Sequence, residues 1–225
     1  TLQIQWHNGQ PSLAAKVLDL QWDKTDKVPG LSSLDADFFW YKNNGAIYLE
    51  SADSLLSANG VIKKDVNINL FKSQFYIYPE QIDSEDKQWV VKGSDMLLNS
   101  DAVTLHPQFK LNTSTGFMSL YVDVSPLALN EVSSLFPPSL MGANTDKYLT
   151  RAFTGEGEIA NARVLWHGRT SDFPFDDNTG IFQAYVDIEQ GDFLFAPDWP
   201  ALNNLDLSLY FVNNALVMES PSATL

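Results

Sequence analysis

Alternation of apolar and polar residues with a period of two is the strongest constraint on how this chain folds. Because successive side chains of a strand point to opposite faces, each alternating segment predicts a β-strand with one apolar and one polar face. Antiparallel sheets commonly combine one buried and one solvated face, so a mainly β, antiparallel fold is expected. The clearest alternating sets are Val66, Ile68 and Leu70; Leu120, Val122 and Val124; Phe182, Ala184, Val186 and Ile188; and Leu205, Leu207, Leu209 and Phe211.

Turn-forming residues separate the alternating segments. Asn and Gly tolerate the left-handed backbone that tight hairpins require, so such pairs between apolar runs predict hairpin turns. They occur at Asn8–Gly9, Asn43–Gly45, Asn59–Gly60, Asn178–Gly180, Gln190–Gly191 and Asn213–Asn214. The sequence therefore predicts a meander in which neighbouring strands pair in chain order.

One stretch departs from the strand pattern. Between Ser125 and Thr154 the apolar spacing becomes helical, first at Leu127, Leu129, Val132 and Leu135 and again from Tyr148 to Phe153, on either side of Pro137–Pro138. We expect two short helices that must pack on the sheet, because helices of this length are marginal alone. The chain then divides into a first β part (1–124), a helical insert (125–154) and a second β part (155–225).

A repeat links the two β parts. The segment Pro29–Asp35 matches Pro200–Asp206 at an offset of 171 positions (200 minus 29), and an Asn-containing hairpin follows each, with a change of length predicted in the second turn. A recurring hairpin unit favours an elongated, repeat-like sheet. Strand-like sequence at both termini further suggests an internal segment of a longer protein.

Composition excludes several kinds of site. The net charge is −14, and no basic cluster beyond Lys63–Lys64 is present to neutralise phosphates, so no nucleic-acid partner is expected. The chain has no cysteine, and His7, His106 and His167 lack metal-ligand spacing, so neither a metal site nor a cofactor is predicted.

Acidic and aromatic residues leave other functions open. Asp172, Asp176 and Asp177 cluster around Phe173–Phe175, as acidic turn residues commonly do, although paired carboxylates could also serve a glycosidase.

Six Trp and fourteen Phe either build a core or line a ligand site. Because the helical stretch is too short to cover a large sheet, either a second sheet or a ligand must cover the apolar face.

Ordered motifs resemble the YhdP family of AsmA-like envelope proteins. They are Val124–Pro126, Leu135–Pro138, Tyr148–Ala152, Ala162–Gly168, Phe173–Ala184, Asp198–Asp206 and Met218–Leu225. The likeness is clear from about Val66 onward. It implies a long, curved β-sheet with an open groove in a periplasmic protein that is anchored in the inner membrane of Gram-negative bacteria. Such bridge-like proteins carry phospholipid between the inner and outer membranes without catalysis, so the resemblance implies no enzyme and no catalytic residue.

The alternating residues then become candidates for lining a lipid path. Acyl chains would bury an apolar sheet face at roughly 25 cal/mol per Å² removed from water. The fourteen residues of the four alternating sets are the lining candidates, with phospholipid acyl chains as the partner. The membranes would be reached through other parts of the parent protein. An envelope scaffold or glycan-binding β module is the alternative, and an enzyme using Asp172 or Asp176 comes third.

Overall fold

A computed structural model gives the structure of this protein and describes residues 1–7, 9–25, 28–57, 64–81, 87–131, 147, 151–152, 155–194 and 196–221. These residues form one antiparallel sheet of 14 strands and a short 3₁₀ helix, Thr170–Asp172. The strands are β1 Leu2–His7, β2 Gln10–Val17, β3 Gly30–Leu31, β4 Asp35–Tyr41, β5 Asn44–Ser57, β6 Val66–Gln81, β7 Lys87–Ser100, β8 Thr104–Asn112, β9 Phe117–Val124, β10 Leu127–Ala128, β11 Glu158–Arg169, β12 Ile181–Phe193, β13 Leu202–Val212 and β14 Ala215–Glu219.

The sheet is open and follows the chain. Its path runs β1-β2-β4-β5-β6-β7-β8-β9-β11-β12-β13-β14, while β3 pairs with β5 and β10 pairs with β11 beside this path. Strands about 4.8 Å apart make the path roughly 53 Å across, so the sheet is elongated at right angles to its strands. The predicted mainly β, antiparallel meander is confirmed.

Hairpin turns close one end of the strands. Two-residue turns at 42–43 and 213–214 each begin with a left-handed residue, Lys42 or Asn213, both with φ near 54°. The turn at 113–116 joins β8 to β9 at the same end, which we call the short-turn end. The described residues of the connections 18–34 and 125–157 lie at the opposite end, which we call the covered end.

Register shifts interrupt the alternation at several places in the sheet, and two of them affect residues singled out from the sequence. The register of β6 against β7 shifts between Ile68 and Leu70, and that of β12 against β13 shifts between Ile188 and Gly191. Gln190 has φ 51° inside β12, so the turn predicted at Gln190–Gly191 is wrong: the strand continues through a bulge. An extra residue reverses the faces of the side chains that follow it.

The helical insert begins later than its spacing predicts. Leu127 and Ala128 are extended and pair with Ile159 and Glu158, because the free edge of β11 offers them ladder hydrogen bonds. Helical backbone occurs at residues 129–131, 147 and 151–152. The rest of the two predicted helices, including Val132, Leu135, Pro137–Pro138, Tyr148 and Phe153, lies outside the described residues.

Two buried clusters lie at the covered end. Leu31 and Leu34 from connection 18–34 pack with Ile68, and Trp22 packs beside them. Leu129 and Ala152 from the insert are 1% and 0% exposed and pack among strand residues that include Ile188 and Leu209. Burying each such Leu stabilises the fold by about 2 kcal/mol. Leu129 and Ala152 therefore pack on the apolar face rather than the polar one.

Candidate functional site

Strand register aligns apolar residues into rows that cross the sheet. Directly opposed residues on paired strands share a face, so each row can be traced from partner to partner. One row consists of Phe71, Leu98, Leu105, Val124, Ala162, Val186, Leu209 and Met218. The next consists of Pro107, Val122, Val164, Ala184, Phe211 and Leu216. Together they make one continuous apolar face.

A third row lies nearer the short-turn end and is the longest. It consists of Ala15, Phe38, Ile47, Phe75, Gly93, Phe109, Leu120, Trp166 and Phe182. It crosses nine strands of the path, which corresponds to roughly 38 Å at the usual strand spacing.

The opposite face is polar. Cross-strand ion pairs join Lys16 to Asp37 (3.3 Å), Lys72 to Glu50 (3.2 Å) and Arg163 to Asp123 (3.5 Å). Tyr121 Oη donates to Asp123 Oδ1 at 2.8 Å, and this hydrogen bond raises the pKa of the tyrosine. Tyr185 donates to Asp187, and its pKa is raised for the same reason. These ion pairs and hydrogen bonds lie on the face opposite the apolar rows.

Between the two ends, part of the apolar face belongs to neither buried cluster. We call it the open lane. Its members are half-buried and are Phe38, Ile47, Phe75, Phe109, Leu120, Val122, Val164, Phe182 and Ala184. No second sheet lies over the lane in the part of the chain that the structure describes, since all the strands there belong to one sheet.

Aromatic rings lie over glycines on this face. A Cβ added to Gly45 would lie 2.7 Å from the Trp40 ring, and one added to Gly93 would lie 2.5 Å from the Phe109 ring. Gly168 holds the ring of Phe175 in the same way, with 2.6 Å between an added Cβ and the ring. The glycines let large rings approach the sheet, which a side chain at these positions would prevent.

The aromatic loop 170–180 lies at the short-turn end. Phe175 is 1% exposed, and the rings of Phe173 and Phe175 lie 5.1 and 5.0 Å from that of Trp166. The acidic residues around them point elsewhere: Asp172 accepts from Ser171, and Asp176 accepts from Asn214 at 3.1 Å. The loop therefore contributes apolar rings to the face.

The register places nearly all of the predicted lining residues on the apolar face. Leu120, Val122, Phe182 and Ala184 lie in the open lane, and Val124, Val186 and Phe211 border it. Others lie beneath the covered end and are buried: Ile68, Ile188, Leu205, Leu207 and Leu209. Val66 is opposite Leu56 next to the first cluster.

Leu70 is the exception. It pairs with Ala52 and Asn99, and strand alternation places it on the opposite face from its neighbour Phe71, which packs against the first cluster. The bulge between Ile68 and Leu70 causes this, because it adds a residue between two positions that alternation would put on one face.

Sequence reasoning missed several aromatic members of the face. Phe38, Phe75, Phe109 and Trp166 lie in the third row, although the excess of Phe and Trp favoured a core over a ligand site and left both open. The signal that could have found them is spacing: Phe38 and Trp40 alternate with polar or exposed neighbours as the aliphatic sets do.

The described residues contain no group of three or more potential ligand side chains placed to hold a metal ion. None of the helical segments in the described ranges is long and apolar enough to span a bilayer.

A family model and a curated protein are both similar to this chain, and both are described as YhdP. The family model described as YhdP protein matches residues 1–225. The intermembrane phospholipid transporter YhdP of Escherichia coli (strain K12) is 41% identical over 90 residues, which cover 40% of this chain and 7% of that protein. The chain thus spans a small part of the length of the curated relative that it matches. No solved structure matches the chain.

Proposed function

This chain belongs to the YhdP family, and from that premise we propose that it is a periplasmic segment of an intermembrane phospholipid transporter, in a protein anchored in the inner membrane. Its apolar face, concave in this proposal, accommodates acyl chains and performs no catalysis. The name of the Escherichia coli relative supports the substrate class. Contact with the inner and outer membranes would be made by other parts of the parent protein.

The observation that carries this proposal is the open lane. A sheet face of this length, if left to water, would forfeit the stabilisation of about 25 cal/mol for every Å² of apolar surface. An acyl chain gains about 0.8 kcal/mol for each CH₂ group that it buries against such a face. Half-buried side chains such as Val122, Val164 and Ala184 offer contacts of this kind.

Not all of the candidate residues contribute equally in this proposal. Ile188, Leu207 and Leu209 already pack against Leu129 and Ala152, so they would support the wall of the path rather than touch lipid. Leu120, Val122, Phe182 and Ala184 would make the lipid contacts, together with the aromatic residues of the same rows.

Photocrosslinking in cells tests the proposal at single-residue resolution. A photoreactive residue at Ala184 should crosslink to phospholipid, while one at the adjacent Gln183, on the polar face, should not. The pair is matched because both residues lie in β12 and oppose neighbouring residues of β11, Val164 and Leu165. Equal labelling at the two positions, or none at Ala184, would contradict the proposal.

A glycan-binding function remains the second candidate because of one surface. Phe39, Tyr41 and Tyr48 are 48%, 42% and 39% exposed on the polar face, beside a shallow depression of about 320 Å³ that Gln3 and Gln5 also line. Rings flanked by amides are suited to stacking on sugars while hydrogen-bonding their hydroxyls. Saccharide-induced changes in tyrosine NMR signals at this surface would favour it, and unchanged signals would dismiss it.

A further inference from the structure

Four tryptophans lie along the apolar face close to the short-turn end. Trp6 precedes the last residue of β1, Trp40 precedes the last residue of β4, Trp89 is the third residue of β7, and Trp166 is three residues before the end of β11. Trp40 opposes Gly45, Trp89 opposes Pro79, and Trp166 opposes Leu120, which places them on the apolar face. We call these four residues the tryptophan rail.

The rings of the rail meet both protein and solvent. Trp40 and Trp89 lie 5.9 Å apart between ring centroids, across strands that are not sequence neighbours. Trp89 is 40% and Trp6 is 71% exposed, while Trp166 donates its Nε1–H to the carbonyl oxygen of Gly168 at 3.1 Å. The rail thus sits where the apolar face ends and solvated turns begin.

An indole is amphipathic, since its ring is apolar and its N–H is polar. Tryptophan is therefore enriched where hydrocarbon gives way to lipid headgroups, as in the aromatic belts of membrane proteins. The four indoles of the rail line the short-turn border of the apolar face, and this row is suited to the level of the headgroups. Of the other two tryptophans, Trp22 packs in the first buried cluster and Trp199 lies in the connection between β12 and β13, both at the covered end.

The opposite border is closed by protein. Leu31 and Leu34 cover one stretch and Leu129 and Ala152 another, so a headgroup there would have to displace buried aliphatic contacts. Along β9, the distance from Val124 to Met118 is roughly 20 Å. A single leaflet of hydrocarbon is about 15 Å thick, half of the bilayer core, so one acyl chain fits this distance along the strands.

We propose that phospholipid lies on this face with its acyl chains running along the strands toward the covered end and its headgroup at the short-turn end, beside the tryptophan rail. This inference rests on the proposed function, because it assigns an orientation to the same lipid. It predicts that Trp22, at the covered end next to Leu31 and Leu34, lies near the ends of the acyl chains.

Depth-dependent fluorescence quenching in single-tryptophan variants tests the orientation. Two variants keep a single tryptophan, Trp89 or Trp22, with the other tryptophans of the chain replaced by Phe. Each is loaded either with phosphatidylcholine that carries a nitroxide on its headgroup or with phosphatidylcholine brominated near the methyl ends of its chains. Bound lipid is quantified after extraction. A third variant that keeps only Trp40 provides a second reporter at the rail in case the Trp89 variant does not fold.

Trp89 and Trp40 should be quenched at least twofold more strongly by the headgroup nitroxide than by terminal bromine, and Trp22 should show the reverse order. The reverse order at the rail, or equal quenching by both lipids at both ends, would overturn the orientation. Bound lipid that quenches none of the reporters would overturn it as well, while leaving lipid binding intact. If neither lipid is retained by any variant or by the unaltered protein, the proposed function itself fails.

Discussion

Asp35 and Asp206, which are 171 positions apart (206 minus 35), accept equivalent hydrogen bonds from the backbone. Asp35 Oδ1 accepts the backbone N–H of Asp19 at 2.8 Å, and Asp206 Oδ1 accepts that of Gln190 at 3.0 Å. Asp19 and Gln190 are themselves 171 positions apart (190 minus 19), and both have a left-handed backbone, with φ 53° and 51°. The β2-β4-β5 and β12-β13-β14 units are therefore two copies of one structural unit.

Removing either carboxylate should destabilise the fold. Asp206→Ala leaves the N–H of a left-handed residue without its acceptor, and a hydrogen bond to a charged group contributes about 1.5 kcal/mol or more, less where solvent competes. We expect a loss of about 1 kcal/mol in the free energy of unfolding from urea titration. Asp35→Ala should match it, and the exposed Asp177→Ala serves as control. A loss confined to one copy would contradict the equivalence.

Gly93 should not tolerate a side chain. The Phe109 ring lies where a Cβ would project, at 2.5 Å, so Gly93→Ala forces the ring away at a cost of about 1–3 kcal/mol. Met96 Sδ would lie 2.8 Å from the same Cβ, but the ring makes the shorter contact. Adding Phe109→Leu should therefore make the double variant less destabilised than the sum of the two single changes. Strict additivity in thermal or urea unfolding would show that ring and glycine do not interact.

Replacing each of two buried serines with alanine should change the stability of the fold in opposite directions. Ser73 Oγ is buried and has no hydrogen-bond partner among the described residues, so Ser73→Ala should be neutral or stabilising by up to about 1 kcal/mol. Ser51 Oγ donates to the carbonyl oxygen of Ser33 at 2.7 Å and lies 2.6 Å from Ser54 Oγ, so Ser51→Ala should destabilise by about 1–2 kcal/mol. Differential scanning calorimetry distinguishes them. Equal losses would argue against the unpaired hydroxyl.

Alkaline pH should remove the stability that the hydrogen bond between Tyr121 and Asp123 contributes. The hydrogen bond to Asp123 raises the pKa of Tyr121 in the folded state. Folding is then favoured by this group below the ordinary tyrosine pKa of about 10, and the contribution is lost as pH rises through the higher folded value. Tyr121→Phe should therefore flatten the fall in Tm above about pH 10. An unchanged pH profile would mean that Asp123 does not hold the phenol proton.

Strand identity was readable from the sequence where alternation was unbroken. The sets beginning at Leu120 and Phe182 lie in β9 and β12, and their register places them in shared rows. The repeat was also visible, and its offset of 171 holds through Lys42 and Asn213. The predicted change of length in the second turn is wrong, because both hairpins turn through two residues.

Neither the β-bulges nor the segments that pack on the apolar face could be predicted from the sequence. A bulge and a hairpin turn both use residues that tolerate a left-handed backbone, so Gln190–Gly191 indicated a turn where the strand continues, and Leu70 was assigned to the wrong face. Which face receives Leu129 and Ala152 depends on packing between distant segments, which no local pattern encodes. The four tryptophans of the rail share one border of the sheet only because of register across many strands.

The central claim is that the apolar face is built to hold hydrocarbon, and a matched pair of charges tests it most directly. Val164 lies in the open lane, and its neighbour Leu165 is 36% exposed on the polar face of the same strand. Phospholipid retained by the purified protein, quantified by native mass spectrometry, should fall roughly tenfold or more in Val164→Asp, since a buried carboxylate costs well over the 1.4 kcal/mol that a factor of ten requires. It should be unchanged in Leu165→Asp. Equal lipid content in the two variants, or none in the unaltered protein, would contradict the claim.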